Sequence, residues 1–92
     1  MEFSDYNQFF KFLEENQDIL SKYAYLRDFY NSVVSVWSCS CKRTQRVAIA
    51  KSKYNMVACI LKDDEEARDD FKKAVDNEQI LIYNDGELLI EF

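Results

Sequence analysis

From Met1 to Asp85 the chain contains neither proline nor glycine; the whole sequence of 92 residues has no proline and one glycine, Gly86. These two residues are the strongest breakers of helices. Without them, most of the chain is free to form long helices. The one residue suited to a tight left-handed reversal lies near the C-terminus, between two apolar runs.

The spacing of apolar residues fills in this outline. Ser4 suits the cap of a first helix that runs to about Glu15, with Asp5 favourable in its first turn. Tyr6, Phe9, Phe10 and Leu13 give that helix an aromatic face. The polar run Glu14–Asp18 reads as a short connection, with Asn16 or Asp18 capping the next helix. Ile19, Tyr23, Leu26, Tyr30, Val33 and Trp37 then step alternately by four and three. That stripe predicts one continuous second helix, broken or bent between Ser38 and Cys41. A third helix is expected from about Lys42 to Leu61. Val47, Ala50, Tyr54, Val57 and Leu61 form its apolar side, and Gln45, Ala48, Ser52 and Asn55 its largely polar side. Asp63 with Glu66 resembles a capping box for a fourth helix ending near Asn77, its inner side made by Ala67, Phe71 and Ala74 or Val75.

After Asn77 the period changes. Ile80–Tyr83 and Leu88–Phe92 flank Asn84-Asp85-Gly86. Asn and Asp suit a type I turn and Gly the left-handed residue that closes it, so the segment predicts a β-hairpin. The expected fold is α+β: a single domain over residues 1–92, mostly helical, with about four helices and a C-terminal β-hairpin.

Several function classes are disfavoured. No apolar stretch approaches the roughly 20 residues of a membrane span. The acidic start Met1-Glu2-Phe3-Ser4-Asp5 lacks the basic and apolar regions of a signal peptide, so a cytoplasmic location is expected. The three cysteines, Cys39, Cys41 and Cys59, suit a reducing compartment. Histidine is absent, so a zinc site would need an acid or a second chain to complete it. Cys59 would also lie about 26 Å along the third helix from Cys41. No metal or cofactor is expected. A catalytic cysteine would lack its usual base, and one glycine excludes phosphate-binding glycine loops. The chain reads as a non-enzyme. Lys42 or Arg43 beside Cys41 would at most make a reactive thiol.

Charge is unevenly spread. Residues 42–62 carry six bases and no acid, within a chain of net charge −5. Lys42, Arg46 and Lys53 fall on one flank of the third helix, and Arg43 lies beside them. These four residues are the candidate contacts for phosphate or nucleic acid. An isoelectric point of 4.6 favours the other reading, in which the third helix neutralises acids on neighbouring elements of its own chain.

Aromatic residues are abundant: seven Phe, six Tyr and one Trp. Aromatics at helical spacing are usually core, but a body this small has little interior. Surplus apolar surface marks contact with other proteins. The hairpin is apolar at nearly every position, so Ile80, Ile82, Leu88, Ile90 and Phe92 are the candidate interface. The expected function is non-enzymatic protein binding, with a homodimer its simplest form. Binding of nucleic acid through residues 42–53 is the alternative.

The stretch Val33-Val34-Ser35-Val36-Trp37-Ser38-Cys39-Ser40-Cys41-Lys42-Arg43 resembles small uncharacterised proteins of marine tailed bacteriophages. The resemblance covers the middle third of the chain. It implies an accessory or virion-associated protein acting in a bacterial host's cytoplasm, and it supplies no site residues.

Overall fold

A computed structural model describes residues 1–38 and 43–92. The order of elements is β1 (Glu2–Phe3), α1 (Tyr6–Glu15), α2 (Gln17–Lys22), α3 (Ala24–Ser38), α4 (Arg43–Asp63), α5 (Glu65–Ala74), β2 (Leu81–Asn84) and β3 (Glu87–Glu91). The fold is a mostly helical α+β arrangement with its hairpin at the C-terminal end, as the apolar periods imply.

The first, third and fourth expected helices form as α1, α4 and α5, with shifted boundaries. Asp5 rather than Ser4 caps α1, its carboxylate accepting from the Gln8 amide at 3.0 Å. Ser4 instead donates its own amide to Gln8 Oε1 at 2.7 Å. Asp64 rather than Asp63 caps α5, accepting from the Ala67 amide at 3.1 Å. In both places two neighbouring side chains are competent caps, and the second of the two is the one used. Val75, not Ala74, completes the inner side of α5.

The continuous second helix is not observed. It breaks at Tyr23, whose backbone is extended (φ −118°, ψ 117°), into α2 and α3. The break is stabilised from both sides. The Tyr23 carbonyl accepts the first amides of α3, from Leu26 at 3.2 Å and Arg27 at 3.3 Å. The Arg27 guanidinium donates to the carbonyls of Leu20 and Ser21 at the end of α2. Both halves still bury the residues of the stripe at Ile19, Tyr23, Leu26 and Val33. A stripe of period 3.6 therefore marks a shared buried side and not one rod.

The sheet has three strands in the order β1-β2-β3, parallel then antiparallel. The short β1 is an addition to the expected hairpin. It sets Phe3 beside Ile82, which pairs in turn with Ile90. All three are buried and make the inner row of the sheet. Glu2, Leu81 and Glu91 make the next row, on the outer face. The turn differs from the expected type. Asn84 pairs with Glu87, and both loop residues are left-handed, Asp85 at φ 50° and Gly86 at φ 81°. This is the two-residue type I′ geometry that matches the twist of paired strands.

One core joins all elements. Phe9 on α1 lies at its centre, its ring 5.3–5.6 Å from those of Phe3, Phe29, Tyr54 and Phe71. Most of these contacts are edge to face, the favoured arrangement of aromatic quadrupoles. Tyr54 is wholly buried, and its hydroxyl donates to the Tyr83 carbonyl at 2.7 Å, tying α4 to β2.

Candidate functional site

The basic segment lies mostly on the first half of α4. Lys42, with Cys39 and Cys41, falls outside the described residues. Arg43 is exposed at the helix start. Arg46 is half-buried and donates to the Ser35 carbonyl and hydroxyl on α3. Lys53 forms an ion pair with Asp28, also on α3. Lys51 reaches Asp85 in the hairpin turn at 3.4 Å. The flank proposed for phosphate thus faces α3, and two of its cations bind groups of their own chain.

The five candidate interface residues of the hairpin separate. Ile80, Ile82 and Ile90 are buried in the chain's own core, so the expectation that they meet another protein is corrected. Phe92 is half-buried, its ring edge to face with that of Phe71 at 6.4 Å. Leu88 alone is clearly exposed, opposite Tyr83 on the outer face of the sheet. The hairpin is apolar at nearly every position because β2 and β3 supply both the core row and a half-covered outer row.

The three most exposed large apolar side chains are instead on helices: Trp37 on α3 is 54% exposed, and Ile49 and Met56 on α4 are 52% and 55% exposed. The rings of Trp37 and Phe10 meet edge to face at 4.7 Å, and Phe10 stacks on Tyr30 at 4.5 Å. The buried stripe of α4 omits Ile49 and Met56. Their place on its otherwise polar side was the signal for this surface, and reading the stripe alone passes over it. A groove of about 440 Å³ between α3 and α4 is lined by Asn31, Ser32 and Ser35 on one side and by Gln45, Arg46 and Ile49 on the other.

A polar cluster holds α2 to α5. Lys22 Nζ contacts Glu66 at 2.7 Å and Asp70 at 3.1 Å, and the Tyr23 hydroxyl donates to Asp70 at 2.6 Å. The hydrogen bonds to Glu66 and Asp70 raise the Lys22 pKa. Burial, reinforced by Asp70, pushes the Tyr23 phenol up to about 12. The hydrogen bond from Tyr23, with the one from Lys22, holds the Asp70 carboxyl below its ordinary value. Beside this cluster is a groove of about 700 Å³, lined by acids and bases together, including Glu15, Asp18 and Lys73. Its mixed charge selects neither an anion nor a cation.

Among the described residues no group of three or more acids and cysteines is placed to hold a metal. No helix among them is long and apolar enough to cross a membrane. Comparison with protein families, with curated proteins and with solved structures finds no match.

Proposed function

We propose that the chain is a non-enzymatic protein-binding module that associates with itself, a homodimer being the simplest form. The observation that carries this reading is the exposure of Trp37, Ile49 and Met56, each more than half accessible. None of the three belongs to the buried core, and more than half of each side chain is left open to a partner. Trp and Met are enriched where proteins meet. The pairing of Arg46 and Lys53 with α3 supports this reading over the binding of nucleic acid. The cytoplasm of a bacterial host, or a phage particle assembled there, is the setting the resemblance to phage proteins suggests.

Sedimentation velocity over a concentration series tests the proposal. A dimer forming in the micromolar range is expected. A monomer persisting to high micromolar concentration would remove self-association. Retention on heparin at physiological salt, lost steeply as salt rises, would point to the nucleic-acid reading instead.

A further inference from the structure

We infer that the junction at Tyr23 is a hinge through which two copies of the chain exchange β1, α1 and α2, with α2 and α3 joined into one helix in the exchanged form. The inference rests on the self-association proposed above and names the segment that passes between copies.

Nothing in the local sequence requires the bend. Lys22, Tyr23 and Ala24 include no proline or glycine, and Ile19, Tyr23 and Leu26, all buried, keep helical phase across it. Ala24 and Tyr25 open α3, so their amides have no acceptor within it. Tyr23 stands at the capping position with a hydroxyl already committed to Asp70, so no side-chain acceptor of the usual kind serves those amides. In one continuous helix the Ala24 amide would donate to the Leu20 carbonyl and the Tyr25 amide to that of Ser21. Those are the two carbonyls that the Arg27 guanidinium occupies. Arg27 thus stands in for the bonds that the bend removes, and straightening restores them.

A chain on its own stays bent. Phe9 of the exchanged segment meets Phe29, Tyr54 and Phe71 from beyond the hinge, Phe12 also meets Phe71, and Phe3 lies beside Ile82. Drawing the segment away would put these rings into water. The same segment of a second copy fits the vacated seat with identical contacts, because exchange of like elements keeps every contact except those of the hinge. The ion pairs of Lys22 with Glu66 and Asp70 then form between chains. The occupant of the seat is therefore the one already seen in it, supplied by another copy.

Ala24→Pro separates exchange from every other kind of dimer. Proline suits the first position of a helix, where its missing amide is no loss, and the residue before it favours the extended backbone that Tyr23 already has. Within a continuous helix it would clash with the Leu20 carbonyl. The full chain is refolded from urea at high concentration and followed by sedimentation velocity. A dimer is expected for the wild type, a severalfold larger dimer fraction for Arg27→Ala, and a monomer with unchanged circular dichroism for Ala24→Pro. Glu2 and Leu81 are partners across β1 and β2. Glu2→Cys and Leu81→Cys, each in a background of Cys39→Ser, Cys41→Ser and Cys59→Ser, are refolded together and treated with a short bismaleimide. A linked heterodimer is expected, since exchange sets β1 of one variant beside β2 of the other. If the wild type dimerises but the mixture stays unlinked and Ala24→Pro dimerises equally, the exchange is refuted, although self-association stands. A wild type and an Arg27→Ala variant that both remain monomeric overturn both.

Discussion

The Tyr25 hydroxyl donates to Asp64 Oδ2 at 3.0 Å, while Oδ1 of the same carboxylate accepts from the Ala67 amide at 3.1 Å and caps α5. One side chain thus begins a helix and ties it to the start of α3. Asp64→Ala is expected to lower stability by about 1–2 kcal/mol through the lost cap. Tyr25→Phe should lower it by about 0.5–1.5 kcal/mol through the lost hydrogen bond. Urea denaturation of both single variants and the double variant measures their coupling. Because the two share one carboxylate, Tyr25→Phe should have less effect once Asp64 is gone. Strict additivity would show that the bond contributes nothing.

Acid should loosen the junction of α2 and α5. Asp70 has a lowered pKa in the folded chain, caused first by the Tyr23 hydroxyl and then by Lys22. A carboxyl of this kind contributes stability that is present above its unfolded pKa of about 3.9 and is lost as pH falls through the lower folded value. Asp70→Asn should therefore melt below the wild type at pH 7, with the two curves converging below about pH 4. A gap in Tm that stays constant down to pH 2 would show that Asp70 is not the group responsible.

Alkali acts on different residues. Burial raises the pKa of Tyr23, Tyr25, Tyr30 and Tyr54, in the case of Tyr23 to about 12. For a group whose folded pKa is raised, stability is fully present below the unfolded value and is lost as pH rises through the folded one. Titration of phenolate absorbance should show a delayed fraction in the folded protein. In denaturant all six tyrosines should titrate together near pH 10. Identical folded and unfolded curves would contradict the burial of these rings.

Phe9→Ala tests the centre of the core. The wholly buried ring meets four other aromatic rings, so its removal should cost about 3–5 kcal/mol. Total stability for a chain this size is about 5–14 kcal/mol. The variant should be close to unfolding at 37 °C in thermal melts. A loss under 1 kcal/mol would mean that the ring cluster is loosely packed.

Much of this fold is readable from the order of residues, and the exceptions have physical causes. The stripe Val47, Ala50, Tyr54, Val57 and Leu61 marks the inner side of α4 because the helix is long and packs on one side. The break at Tyr23 leaves no mark in the period, since α2 and α3 point their apolar sides at one core. What favours it is a pair of side-chain bonds, one tertiary from Tyr23 to Asp70 and one local from Arg27 to the end of α2. The two residues of β1 are too few to show alternation. For the candidate surface, the charges of α4 were legible, but their partners Asp28, Ser35 and Asp85 come from distant parts of the chain. Ile80, Ile82 and Ile90 could not be told from their neighbours until the register of the sheet set them inward.

The parallel pairing of Phe3 with Ile82 also orders events in time. Phe3 is made well before the strand that covers it, because β1 and β2 lie at opposite ends of the order of elements. Helices α1 to α4 can assemble on the way, because their contacts are closer in sequence. The sheet cannot close before β2 has been made, so a product truncated ahead of Leu81 would carry an uncovered aromatic cluster and be an early substrate for chaperones or proteases.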